Sequence, residues 1–169
     1  MKYLTILLFT VLFTCDSVQE NLNENKIMSS NNWCPDDGKC SVTKYENTNL
    51  FLKTDEFGNN YTDTTEGENI VLKFEYKRLN TIDAEDSDYT ELIWIELKNL
   101  EDSFSVSNED LKNYNVVFTR LCFCRGQTGN YPIKSGKLEY KKEKDNKYIK
   151  LTFNNQTVPQ VLKFVETNL

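Results

Sequence analysis

An alternation with a period of two runs through this chain and restricts it to extended backbone. Ile70, Leu72, Phe74 and Tyr76 interleave with Val71, Lys73, Glu75 and Lys77. Successive strand side chains point to opposite faces, so this is the pattern of a half-buried strand. Leu92-Ile-Trp-Ile95 is apolar on both faces, which predicts a central strand over 89–97. Further strands are predicted over 40–45, 49–54 and 116–124. Residues 137–142 and 148–153 read as a hairpin across Asp145-Asn146. Gly58-Asn59-Asn60, Gly126, Gly129 and Ser135-Gly136 punctuate these runs as turns.

Two short helices are expected. Ser107-Asn-Glu-Asp110 has the form of a capping box before Leu111. Thr157-Val-Pro-Gln160 has the same form, and Val158, Val161, Leu162 and Val165 continue it as a helical stripe. The fold class is therefore mainly β. The expected architecture is an antiparallel sandwich or partly open barrel of seven or eight strands, with a C-terminal helix over an edge.

The N-terminus is of another kind. Lys2 precedes an unbroken run, Tyr3 to Phe13, and the chain turns polar after Cys15. A bilayer-crossing helix needs about 20 apolar residues, and this run is shorter. It has the charge, apolar region and processing point of an export signal. The stretch Leu12-Phe13-Thr14-Cys15 resembles a bacterial lipoprotein box. The resemblance implies that residues 1–15 are a signal and that Cys15 is acylated. The alternative is plain secretion, with cleavage after Ser17. Residues 16–32 are rich in Asn, Ser and Glu and read as a disordered tether. Residues 33–169 form one domain, long enough to bury its own core.

The net charge of −6 disfavours nucleic acid as a partner, because phosphate recognition needs a basic face. Charge is unevenly placed, with acidic residues concentrated over 81–110 and lysines over 134–150. The chain has no histidine. That excludes Ser-His-Asp and Cys-His nucleophile systems and the common histidine-bearing zinc sites.

Four cysteines remain beyond Cys15: Cys34, Cys40, Cys122 and Cys124. In an exported domain an even number reads as two disulfides. Pairing across the chain constrains the unfolded state by ~4.6 kcal/mol, against ~2.4 kcal/mol for the short Cys34–Cys40 loop. The cross-chain pairings are therefore favoured. Local pairing, a four-thiolate zinc site and a redox-active C-x-C are the alternatives.

The segments Cys34-Pro-Asp-Asp-Gly-Lys-Cys40, Leu52-Lys-Thr-Asp-Glu-Phe-Gly58 and Cys122-Phe-Cys-Arg-Gly-Gln-Thr-Gly129 resemble those of small uncharacterised bacterial lipoproteins. That likeness implies a compartment and carries no activity.

Arg125-Gly-Gln-Thr-Gly-Asn130 is the best binding-loop candidate. Arg125 offers a planar fork of donors, Gln127 and Thr128 add polarity, and the glycines permit close approach. Arg120 shares a strand face with Phe118 and Cys122, so it is expected inward with a carboxylate partner, the alternative being that it binds an anionic ligand. The acidic stretch from Asp83 to Asp88, with Glu91, lacks the calcium-loop rhythm. Glu96 beside Trp94 is the one hint of carboxylate catalysis.

The expected function is an exported, lipid-anchored, non-enzymatic binding or structural module. It needs no cofactor, and its partners are the membrane and an envelope protein or peptide. Two rivals are a carboxylate hydrolase or a thiol-redox protein. A barrel around a small apolar ligand is a third. Mass spectrometry of the membrane-extracted protein should find Cys15 as an acylated N-terminus. A free amino terminus at Val18 would refute lipidation.

Overall fold

The computed structural model describes residues 24–27, 32–79, 88–98, 100–144 and 146–169. The expected export signal, Cys15 and most of both the expected tether and the acidic loop lie outside these residues. The alternation seen in the sequence becomes a mainly β, sandwich-like fold of antiparallel strands. A six-stranded sheet has the order β1 (Glu24–Ile27), β2 (Gly38–Tyr45), β5 (Ile70–Arg78), β6 (Tyr89–Leu97), β8 (Val117–Cys122) and β9 (Gly129–Pro132). A four-stranded sheet runs β12 (Phe164–Asn168), β11 (Asn146–Phe153), β10 (Gly136–Glu143) and β7 (Phe104–Ser107). The separate hairpin β3 (Thr48–Thr54) and β4 (Asn60–Glu66) completes the set. Among the described residues the sheets do not close into a barrel.

Register decides which side chains face inward. Val42, Phe74, Ile93, Phe118 and Tyr131 lie in one cross-strand row. Two residues along, Cys40, Tyr76, Glu91, Arg120 and Gly129 form the next row on that face. The apolar members pack with Leu138, Ile149, Leu151, Phe153 and Val165 of the second sheet into one core. Each fully buried Leu, Ile or Phe there contributes roughly 1.5–3 kcal/mol. Gly38 is fixed by this packing, because a Cβ there would lie 2.1 Å from the Tyr76 ring.

A buried carboxylate ties the layers together. Glu91 is 0% exposed. Its Oε1 accepts from the Tyr89 hydroxyl at 2.5 Å and the Val161 amide at 2.6 Å, and its Oε2 accepts from the Leu162 amide at 2.8 Å. Val161 and Leu162 belong to the segment that leads into β12, so one side chain of β6 holds the C-terminal segment on the first sheet. Glu96, on the opposite face, does the same for β3. It accepts from the Leu50 amide at 3.0 Å, from Asn69 at 3.1 Å and from Asn115 at 2.7 Å.

Several elements differ from expectation. The C-terminal stretch is a strand, not a helix. Val165 and Thr167 are buried against β11 while Phe164 and Glu166 are only half-buried, so period two wins. Upstream, the Gln160 amide donates to the Leu162 and Phe153 carbonyls, and its carbonyl accepts from the Asn155 amide. That side chain competes with helical bonds, and Pro159 lacks a donor. Ser107 ends β7 and makes no capping bond, and the helix after it is a 3-10 helix, Asn108–Tyr114. Four residues of the expected tether form β1 against β2. Strands β4, β7 and β9 were also unforeseen, which raises the strand number above seven or eight.

Glu91→Gln should lower stability by about 2 kcal/mol, since the new amide donor faces a backbone donor. Urea unfolding measures this, and an unchanged midpoint would contradict the clamp.

Candidate functional site

Strand β8 and the loop that joins it to β9 hold the residues singled out in the sequence: Arg120 on the strand, and Arg125, Gln127 and Thr128 in the loop. The structure brings them together, but as internal partners. Arg120 is 8% exposed and points inward. Its Nη1 donates to Gln127 Oε1 at 2.7 Å, and its guanidinium carbon lies 5.3 Å from the Tyr89 ring centre. The expected carboxylate partner is absent: among the described residues no ion pair includes Arg120. Its cross-strand neighbour Glu91 turns instead to backbone amides. The Arg120 Nε is buried with no partner.

Thr128 straps the same loop. Its hydroxyl donates to the Cys122 carbonyl at 2.5 Å, and it lies 3.4 Å from the Cys122 amide. Of the four, Arg125 and Thr128 are exposed, Gln127 is half-buried and Arg120 is buried. Tyr89 stands between two guanidiniums, with Arg78 4.4 Å from its ring centre. Burial pushes the Tyr89 phenol well above its ordinary value, and its bond to Glu91 adds to this. It therefore stays protonated and acts as a donor.

The favoured cysteine pairing is corrected. Cys34 pairs with Cys40, Cα atoms 5.7 Å apart, and Cys122 with Cys124 at 5.2 Å. Cys40 and Cys122 do share the inner face. Strands β5 and β6 stand between them, however, which separates them by about 14 Å. A disulfide cannot span more than about 7 Å between Cα atoms. The four sulfurs therefore do not converge, and no group of three or more metal-ligating side chains occurs among the described residues.

The surface hollows are poor in carboxylates. Two adjoining ones, of about 270 and 620 Å³, share Glu109, Pro132 and Lys134, and Glu109 is the carboxylate in each. Glycoside hydrolysis needs two. Glu96 and Glu91 are both committed to structural bonds.

The feature missed in the sequence is the tip of the β3–β4 hairpin. Phe57 there is 81% exposed. The turn beneath it is closely tied. Asp55 Oδ1 accepts from the Phe57 amide at 2.9 Å and the Asn59 amide at 2.8 Å, and Oδ2 accepts from the Asn59 side chain at 3.1 Å. Gly58 supplies the positive φ of 85° that the turn needs. At the tip end of β4, Asn60 and Asn130 exchange side-chain bonds to each other's carbonyl, at 3.4 and 2.9 Å, and pin the hairpin to the edge of the sheet. Phe51 and Tyr61 are exposed on its outer face. The signal was present as Asp55-Glu-Phe57-Gly between the strands of the hairpin. Phe57 reads as an ordinary turn residue until its isolation is seen.

No family model, curated protein sequence or solved structure matches this chain.

Bonds from Asn59 hold the Asp55 carboxyl below its ordinary value of 3.8. The sign follows directly. The ordered turn prefers the carboxylate, so its contribution is complete above pH ~4 and is lost as pH falls through the depressed value. NMR titration should place the Asp55 midpoint below 3.8, with the Phe57 and Asn59 amide shifts moving in step. A midpoint at or above the ordinary value would contradict this account of the turn.

Proposed function

We propose that the chain is an exported, lipid-anchored envelope protein that acts as a non-enzymatic binding module. The observation that carries this reading is Phe57, held outward at the end of a turn whose polar groups bond to one another. A large apolar side chain in water on a rigid mount is a recurrent docking device. Aromatic anchors dominate interface energy, and preorganisation removes the ordering cost of binding.

The local chemistry narrows the partner. Asp55 and Glu56 precede Phe57 and give the tip a negative collar. An apolar socket rimmed by cations, on an envelope protein or peptide, complements it. The same charge disfavours direct insertion into an anionic lipid surface. The N-terminal address supports placement outside the cytosol. The commitment of Glu91 and Glu96 to backbone and amide donors supports a binding role over carboxylate catalysis.

A photoreactive phenylalanine analogue at position 57 of the full chain, tested in the producing cell, should give one discrete adduct with an envelope polypeptide. The same analogue at position 147, on the lysine-rich hairpin, should not. For the partner so identified, Phe57→Ala should weaken affinity by about tenfold or more. Equal adducts from both positions, or unchanged affinity, would overturn the proposal.

A further inference from the structure

The geometry points to a second site where β8 runs out into the loop before β9. Cys122 and Cys124 form an exchangeable dithiol–disulfide pair that takes thiols of polypeptides as its substrates. This goes beyond the docking proposal and does not depend on Phe57.

The local backbone prepares the pair. Two residues that stand two apart on an extended strand have Cα atoms ~6.6 Å apart. Here the strand ends at Cys122, the chain bends at Phe123, and the Cα separation falls to 5.2 Å. That lies within disulfide reach. The ring so closed spans one residue, Phe123, and expels its side chain, which is 81% exposed. Thr128 anchors the Cys122 end through the bonds described above. A ring closed over a single residue is of the strained kind that belongs to the labile class of disulfides, whereas unstrained structural ones resist reduction.

The surroundings suit thiol exchange. Residues 121–130 contain no carboxylate and hold Arg125 next to Cys124. Arg120 lies two residues before Cys122 on the same face and is 8% exposed, and its Nε–H has no partner. An unpaired buried donor is costly. A thiolate at Cys122 supplies the acceptor that it lacks, and cations near a thiol favour its ionised form. Phe123, Cys122, Cys124 and Arg125 line an open hollow of about 430 Å³, and Leu121 is exposed beside them. An apolar rim beside a reactive sulfur fits unfolded polypeptide rather than a small polar thiol.

The exchange balances as follows. A substrate thiolate attacks the Cys124 sulfur, the bond between the two cysteines breaks, and Cys122 leaves as a thiolate. A second substrate thiol, deprotonated, then attacks the substrate sulfur of the mixed disulfide. The substrate departs as its own disulfide, and Cys124 leaves as a thiolate. Two electrons pass from the substrate thiols to the cysteine pair, and the two substrate protons end on Cys122 and Cys124.

The test equilibrates the full chain with mixtures of reduced and oxidised glutathione, then alkylates and maps each cysteine by mass spectrometry. Cys122–Cys124 should be half reduced at a ratio of squared reduced to oxidised glutathione about a hundredfold lower than Cys34–Cys40 needs. Cys122→Ser should accumulate a glutathione adduct on Cys124, and Cys124→Ser should form one on Cys122 about tenfold faster, because the thiolate favoured beside Arg120 is the attacking group. Both reactions should be unchanged in Phe57→Ala, which separates this site from the docking tip. Equal resistance of the two pairs, no adduct on either single-cysteine variant, or equal adduct rates would overturn the assignment.

Discussion

The ladder between β5 and β6 sets every other placement in the molecule. It pairs Phe74 with Ile93 and Tyr76 with Glu91. A slip of one residue would send the whole apolar set to the opposite face. With the register fixed, the core row, the buried glutamate and the inward arginine follow on one face, and Glu96 with Trp94 on the other. The cysteines of β2 and β8 are also kept two strands apart by it. Local pairing is then the arrangement left to them.

Charge is buried in this fold in a consistent way. Glu91 and Glu96 are almost wholly shielded, yet both are met by backbone amides and side-chain donors. A carboxylate used thus acts as a staple between segments that share no strand pairing. Isolated burial of such a group would be prohibitive, and multiple charge-assisted bonds offset that cost. Arg120 has a partial set of partners. It bonds to a neutral amide, packs over Tyr89 and keeps one donor unmet. That imbalance distinguishes it from the staples and places it beside Cys122.

Much of the sheet was legible in the sequence, because alternation is a direct consequence of strand geometry. The bounds 89–97 of β6 are those read from the sequence, and the cores of β2, β3, β5, β8, β10 and β11 coincide with the expected strands. What was not legible depended on tertiary partners. The stripe through Val158, Leu162 and Val165 has helical spacing, but pairing with β11 and the Gln160 bonds overrode it. Strand β4 is nearly all polar and owes its form to its hairpin partner. The cysteine argument weighed loop entropy without the register that kept the distant pairs apart. Of the candidate site, Arg120 on β8 and Gln127 and Thr128 in the loop after it do lie together, though they bond to one another and to Cys122. Phe57 carried no periodic signal.

The central physical claim is that a fixed register separates the two cysteine pairs and leaves local closure as the arrangement open to each. Proteolysis of the non-reduced protein followed by mass spectrometry of linked peptides tests this directly. The account predicts one link between Cys34 and Cys40 and a second within the Cys122–Cys124 segment. A peptide joining Cys34 or Cys40 to Cys122 or Cys124 would contradict it.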